Sequence, residues 1–218
     1  MRRIIGHLEQ WAPLSGDFQV RDPFQLLIAT ILSQNTSDSN SSKAYETLSE
    51  RFEVTPKVIA HLQPEDIKPL ITCAGLQEIK SKRIVAISQS LLDSYNGDLM
   101  QILNLPLNEA RKTLIEFKGI GPKTADILLL FVGNKFVFPI DTNIFRVVKR
   151  MGFIIDRNYE RSRKVLESLI PQDRLKIMHF DLIKLGREIC KPQRPRCSIC
   201  MVNTLCDYGV ALLKEVVN

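Results

Sequence analysis

The sequence has 218 residues, enough to bury a substantial core in one large or two small domains. Hydrophobic residues make up 44% and charged residues 25%, which is ordinary for a folded soluble protein. No run of about 18 or more apolar residues occurs, which excludes a membrane-spanning helix of ordinary kind. The first residues become polar too soon for a signal peptide, so we expect an intracellular protein.

Charge and cysteine content narrow the class of partner. The formal net charge is +6, and a basic surface attracts polyanions, nucleic acid first. Charge alone is a weak indicator, because many basic proteins bind no nucleic acid. Of five cysteines, four fall within residues 190–206, and because intracellular proteins rarely keep disulfides, this cluster predicts a metal site.

The chain predicts one helix after another. Asp22 and Pro23 predict the N-cap and first position of a helix that extends through Ser33. Helical spacing of apolar residues predicts further helices near 40–52, 57–62, 64–72, 80–95, 107–116, 123–132, 142–151, 158–169 and 173–186. Gly186 suits the position that ends the last of these. Residues 135–140 could form a strand, but Pro139 favours an extended connection, so we expect an all-α fold in two lobes.

The segment 107–131 predicts two helices joined by a tight hairpin. Gly119 and Gly121 flank Ile120, and glycines there permit a positive φ while the isoleucine fills the gap between the helices. The hairpin N–H groups and the second helix N-terminus would then face outward as a site for phosphate oxygens. A plain helix–helix turn is the alternative, but the run G-I-G-P-K-T-A favours a hairpin that binds the DNA backbone.

Two charged residues could carry chemistry. Lys123 lies in the first turn of the second helix, where the helix dipole disfavours the ammonium form and a neutral amine could form a Schiff base. A phosphate contact is the more common role of a lysine at such a position. Asp141 precedes another predicted helix and suits an N-cap. Its carboxylate could equally stabilise positive charge that develops on a deoxyribose ring as a base departs.

Four cysteines follow the spacing C-x6-C-x2-C-x5-C. They are Cys190, Cys197, Cys200 and Cys206. Four thiolates so close in sequence can bind zinc or an iron–sulfur cluster, and general ligand rules leave both open. The intervening K-P-Q-R-P-R carries Lys191, Arg194 and Arg196, which would form a stiff basic finger that meets phosphates.

Three motifs in order, G-I-G-P-K-T-A, I-D-T-N-I-F-R-V and the cysteine pattern, resemble the endonuclease III branch of the helix-hairpin-helix (HhH-GPD) DNA glycosylase superfamily. The resemblance runs from about Asp22 to Cys206. It implies a six-helix barrel domain at 16–135, with the hairpin at about 117–122. It also implies a helical [4Fe–4S] domain formed by 1–15 and 136–218, with the cluster loop at 190–206. Double-stranded DNA would lie across the cleft with the damaged nucleotide flipped out.

The resemblance also implies an activity. Lys123 matches the catalytic lysine, Asp141 the catalytic aspartate, and the four cysteines the ligands of a [4Fe–4S] cluster. The implied protein is a bifunctional DNA glycosylase and abasic-site lyase of base excision repair. It would act through a lysine Schiff base and β-elimination, by default on oxidised pyrimidines. We expect a monomer without membrane attachment, cytoplasmic and nucleoid-associated if the source is prokaryotic.

Further residues are assigned by the same resemblance. In L-S-Q-N-T-S-D, either Gln34 or Asn35 would fill the gap left by the flipped base. Leu76 would insert into the opposite strand, while the hairpin glycines and the basic finger would bind the DNA backbone. Asp38 and Arg146 would pair behind the site.

Two departures leave the damaged base open. Asn143 stands where this branch usually has histidine, and glycosylases of other specificity often have asparagine there. Lys118 replaces the proline that usually precedes the hairpin. One alternative is a monofunctional glycosylase for mismatched uracil or thymine, or for alkylated bases. It would use Asp141 to activate water and Lys123 to hold a phosphate. The alternative outside enzymes is a DNA-binding or redox-sensing metal module.

Overall fold

The computed structural model describes residues 1–11 and 22–217, which form helices and contain no strand. The α-helices are α1 Arg2–Trp11, α2 Pro23–Ser33, α3 Asp38–Arg51, α4 Pro56–Ile59, α5 Pro64–Ile67, α6 Gln77–Tyr95, α7 Met100–Leu103, α8 Leu107–Glu116, α9 Pro122–Phe131, α10 Thr142–Arg150, α11 Tyr159–Leu169, α12 Leu175–Glu188 and α13 Asp207–Val217. Short 3-10 helices occupy Lys68–Ala74, Gln172–Arg174, Cys197–Ile199 and Asn203–Leu205. The predicted all-α fold is confirmed.

Local signals place several helix ends as predicted. The Asp22 carboxylate accepts a hydrogen bond from the Gln25 backbone N–H at 2.8 Å, so it caps α2. The expected helix at 64–72 is instead α5 followed by a 3-10 helix, in which residues 68–74 are wound more tightly than in an α-helix. Residues 135–140 are not part of a strand, in keeping with the extended connection expected at Pro139.

The prediction that Gly186 ends a helix is wrong. Helix α12 continues to Glu188, and Gly186 is buried within it. A Cβ added there would lie 2.8 Å from the Asn143 Cβ, so the missing side chain lets α12 pack closely against α10. The glycine serves helix packing and not helix termination.

The chain divides into two compact units. One comprises Met1–Phe18 with Phe136–Asn218, and the other comprises Gln19–Lys135. The second unit is built around α2, which contacts α3, α6 and α9 and is buried through residues such as Leu27, Ile28 and Ile31. In the first unit α10 contacts α12 and α13, and α1 contacts α12. The predicted domain boundary between residues 15 and 16 lies outside the described residues.

None of the helices within the described ranges has the length and apolar character needed to cross a membrane.

Candidate functional site

The hairpin between α8 and α9 forms at the predicted position. The Ile120 backbone N–H donates to the Phe117 carbonyl at 2.9 Å, and the Ile120 side chain is only 3% exposed. Gly119 has a φ of +108°, which strongly favours glycine. Gly121, by contrast, has a φ of −91° and a ψ of 176°, so the expectation that both glycines permit a positive φ holds only for the first.

Besides the positive φ, the side chain of Arg83 in α6 imposes a second constraint on Gly119. A Cβ added to Gly119 would lie 2.1 Å from the Arg83 Cδ and 2.2 Å from its Nε. The arginine side chain therefore lies directly over the glycine and links α6 to the hairpin. A Cβ added to the exposed Gly121 would meet no atom within 4 Å, so its outer face is open.

Lys123 occupies the first turn of α9, immediately after the hairpin. Its side chain is half-buried, and the next residue, Thr124, is buried. Gly121 is the N-cap of α9 and has no side chain with which to cap the first backbone N–H groups. Those groups and the positive end of the helix dipole can receive an anion close to Lys123.

The structure separates the environments of Gln34 and Asn35. The Gln34 Oε1 accepts a hydrogen bond from Arg83 Nη1 at 2.8 Å, and its Nε2 donates to Thr124 Oγ1 at 3.4 Å. Asn35 is exposed and has a left-handed backbone with φ of +55°. Gln34 thus binds within its own unit, whereas Asn35 extends from the end of α2.

Leu76, like Asn35, has a left-handed backbone and an exposed side chain. Its backbone is left-handed (φ 51°, ψ 32°), and the side chain is 50% exposed. A leucine rarely adopts this conformation, which costs on the order of 1–3 kcal/mol. The strained backbone makes Leu76 a candidate for a functional residue, because such strain clusters at functional sites.

Asp141 begins α10 as its N-cap in the other unit. Its Oδ1 accepts a hydrogen bond from the Ile144 backbone N–H at 2.7 Å, and its Oδ2 accepts one from Asn143 Nδ2 at 3.0 Å. Asn143 Oδ1 in turn accepts a hydrogen bond from Arg146 Nη2 at 2.9 Å. Asn143 therefore links the aspartate to the arginine and fixes the orientation of the carboxylate.

Arg146 is buried enough that desolvation lowers its pKa, although it stays charged. Its guanidinium also donates to the carbonyls of Cys190 at 2.8 Å and Gly186 at 2.7 Å, which joins α10 to the end of α12. Asp38 is exposed at the start of α3. Its pairing with Arg146 stays a prediction.

The four predicted metal-ligating cysteines line one cavity. Apolar side chains, including Val147, Leu185 and Val202, form much of the remaining wall. Burial raises the pKa of the Cys197, Cys200 and Cys206 thiols, and the neighbouring sulfurs add to the effect. Within residues 1–11 and 22–217, no three His, Cys, Asp or Glu side chains form a group that could hold a single metal ion.

The loop from Cys190 is held by Arg150 of α10. Arg150 donates to the carbonyls of Lys191 at 2.6 Å and Pro192 at 2.9 Å, and to the Cys190 Sγ at 3.4 Å. Arg194 and Arg196 are exposed, and the Lys191 side chain is half-buried. The hydrogen bonds of Arg150 thus fix the start of the predicted basic finger, and the guanidinium groups of Arg194 and Arg196 are exposed to solvent.

Sequence reasoning missed Lys80, Arg83 and Arg150. Lys80 lies on the apolar stripe of α6, four residues before Ile84, and this lysine on a buried face was a readable signal. No such signal marks Arg83 or Arg150, because their partners are distant in sequence.

The family model described as "HhH-GPD superfamily base excision DNA repair protein" matches residues 28–172. The chain belongs to this superfamily. Its curated relatives include endonuclease III of Thermotoga maritima, 35% identical over 187 residues that cover 86% of this chain and 84% of the relative. Endonuclease III of Escherichia coli K12 is 32% identical over 188 residues, covering 85% and 84%.

Solved structures agree with this membership. A trapped covalent intermediate of endonuclease III with DNA has a TM-score of 0.84 at 30% identity, covering 97% of this chain and 96% of that chain. A thermostable thymine-DNA glycosylase has a TM-score of 0.82, but at 21% identity this likeness concerns the fold alone. The predicted family is confirmed, as is the predicted class of enzyme, a base excision repair DNA glycosylase and lyase.

Proposed function

We propose that this HhH-GPD protein excises oxidised pyrimidines from double-stranded DNA and cleaves the resulting site through a Schiff base on Lys123. The observation that carries the proposal is the position of Lys123, half-buried in the first turn of the helix that follows the glycine hairpin. A phosphate held by the uncapped N–H groups of α9 would bring the adjacent sugar within reach of this amine. The amine would then act as a nucleophile and not merely as a counter-ion.

The proposed reaction balances as a substitution followed by an elimination. Lys123 Nζ attacks C1′ as the bond from C1′ to the base breaks, and the base leaves with the electron pair and takes up a proton. A proton then moves from nitrogen to O4′ as the C1′–O4′ bond breaks, which opens the sugar ring and gives the protonated Schiff base. Loss of a proton from C2′ then expels the 3′ phosphate, and water releases the lysine.

Asp141 is proposed to stabilise the positive charge that develops on the sugar. Its two oxygens accept hydrogen bonds from Ile144 N–H and Asn143 Nδ2, so its direction is set before substrate arrives. A preoriented carboxylate needs little rearrangement as charge develops, which is how electrostatic stabilisation contributes to catalysis.

Asn35 and Leu76 are proposed to enter the DNA duplex, the first in the gap left by the flipped nucleotide and the second beside the opposite base. Both are exposed, and both are held in left-handed backbone. Gln34 is assigned instead to support of the site, because its amide is bonded to Arg83 and Thr124. Gly119, Gly121, Lys191, Arg194 and Arg196 are proposed to contact the phosphate backbone.

The cysteine cavity is proposed to hold a [4Fe–4S] cluster. A single zinc ion would draw all four sulfurs to about 2.3 Å from one centre, whereas each thiolate of a four-iron cluster binds a separate iron. All four cysteines line one apolar-walled cavity, and four cysteine thiolates are the ligand set of such a cluster. When bound, the cluster would form a bond to each of the four cysteine sulfurs and would stiffen the basic finger, which lies between two of these cysteines.

Asn143 favours a second candidate, a monofunctional glycosylase for uracil or thymine opposite guanine. A neutral amide beside Asp141 leaves the carboxylate able to activate water, since Asn143 donates to it without adding charge. In that case Lys123 would bind phosphate only.

Borohydride trapping distinguishes the candidates. The wild-type protein is expected to form a covalent adduct with a duplex that carries one thymine glycol, and Lys123→Ala is expected to form none. Lys112→Ala, an exposed lysine of α8, is the matched control and should trap normally. Base release from a guanine mismatch without any adduct would favour the second candidate, and trapping by Lys123→Ala would refute the assignment of the nucleophile.

A further inference from the structure

Lys80 is a buried lysine that the reaction itself does not use. It lies on α6 in the Gln19–Lys135 unit and is only 1% exposed. Its Nζ donates to the Leu32 carbonyl at 2.7 Å and to the Ala74 carbonyl at 2.9 Å. Burial lowers the pKa of Lys80, and the nearby Arg83 adds to the effect. The surroundings therefore disfavour the charged ammonium group, apart from its two hydrogen bonds.

The two accepting carbonyls have related positions. Leu32 lies in the last turn of α2, and Ala74 is the last residue of the 3-10 helix Lys68–Ala74. Carbonyls at helix C-termini lack partners within the helix and carry partial negative charge. One ammonium group therefore caps two helix ends that are otherwise distant in sequence.

Both helix ends lead directly to a residue proposed to enter the duplex. Asn35 is three residues beyond Leu32, and Leu76 is two residues beyond Ala74. Each has a left-handed backbone and an exposed side chain. An apolar residue could fill the core at position 80, but only a donor with several N–H groups can tie both segments at once.

We propose that Lys80 is a positioning residue that sets the separation of Asn35 and Leu76, so that both enter the duplex together. The inference rests on the proposed roles of those two residues. It predicts that Lys80 matters for opening a base stack and not for the chemistry at Lys123. A single-stranded substrate has no stack to open and should not need it.

The test compares two substrates in the full-length protein. One is a duplex with thymine glycol next to 2-aminopurine, whose fluorescence rises when its stacking is lost, and the other is a single strand with one abasic site. Lys80→Met is expected to lower the fluorescence gain and to lower kcat/KM on the duplex by about tenfold or more. Cleavage of the single strand should stay within about threefold, because a remote positioning group is not part of the reacting centre.

Ser88→Ala is the matched control. Ser88 is a fully buried polar residue of the same helix, but its hydroxyl donates only within α6, to the Ile84 carbonyl at 2.7 Å. This variant should match wild type on both substrates. The ratio of duplex to single-strand rates does not depend on the folded fraction, so a loss of soluble protein in Lys80→Met does not obscure the result. Lys80→Gln, which keeps a donor, should show a smaller fall in the same ratio.

Two outcomes overturn the inference. One is a wild-type ratio in both Lys80 variants, whether the two rates are unchanged or fall equally; an equal fall indicates a general structural role. If Asn35→Ala and Leu76→Ala keep the full fluorescence gain, their proposed roles are wrong and the inference falls with them. Absence of borohydride trapping in the wild type contradicts the Schiff-base proposal instead, and the fluorescence gain still tests Lys80.

Discussion

Replacing Gly119 by alanine should destabilise the hairpin unit strongly. The backbone φ of +108° costs any residue with a Cβ on the order of 1–3 kcal/mol. The new Cβ would also stand 2.1 Å from the Arg83 Cδ, which forces that side chain out of its rotamer at about 0.5–1.5 kcal/mol. Displacement of Arg83 breaks its hydrogen bond to Gln34, worth roughly 1 kcal/mol at a half-buried site. We expect a total loss of about 3–5 kcal/mol.

Gly121→Ala is the control, two residues away in the same hairpin. Its backbone is accessible to alanine and its Cβ would meet no atom within 4 Å, so the free energy of unfolding should change by less than about 0.5 kcal/mol. Urea unfolding followed by far-UV circular dichroism gives both values. Equal stability of the two variants would refute the reasoning.

A double variant separates the two causes of the loss at Gly119. If the contact with Arg83 matters, Gly119→Ala combined with Arg83→Ala should be less destabilised than the sum of the single changes, because the clash is gone. The part due to backbone strain should remain. Strict additivity would show that Arg83 does not press on the hairpin.

Three further changes test other parts of the molecule. Asn143→Ala leaves the Asp141 carboxylate with the Ile144 N–H bond but without the amide bond, so single-turnover base excision should slow by about fivefold; an unchanged rate would contradict this. Arg111→Met removes the ion pair with the fully buried Asp126 carboxylate and should lower the free energy of unfolding by about 3–5 kcal/mol; an unchanged value in urea unfolding would contradict this. Arg150→Met removes the hydrogen bonds that hold the cysteine loop. If the cavity holds the proposed [4Fe–4S] cluster, the cluster's visible absorbance should fade about tenfold faster in chelator in this variant than in wild type, and an unaltered rate would argue against this role of Arg150.

The sequence by itself determined most of the helices and the order of the motifs. Asp22 and Asp141 cap helices through contacts within a few residues, and Gly119 supplies the positive φ of a local turn, so capping and turn rules could predict their positions. The cysteine spacing likewise predicted the residues that line one cavity. Local rules failed at Gly186, where the reason for glycine is a helix more than forty residues away in sequence.

Only the tertiary structure decided which polar side chains form hydrogen bonds within the protein and which are exposed and can contact DNA. Gln34 and Asn35 are neighbours with similar amides, yet one is bonded to Arg83 and Thr124 while the other is exposed. The helical pattern places Lys80 on a buried face, but only the structure shows that it joins two helix ends that lie 42 residues apart (positions 32 and 74). The physical reason is that such hydrogen bonds depend on the packing of helices distant in sequence, which no local pattern encodes.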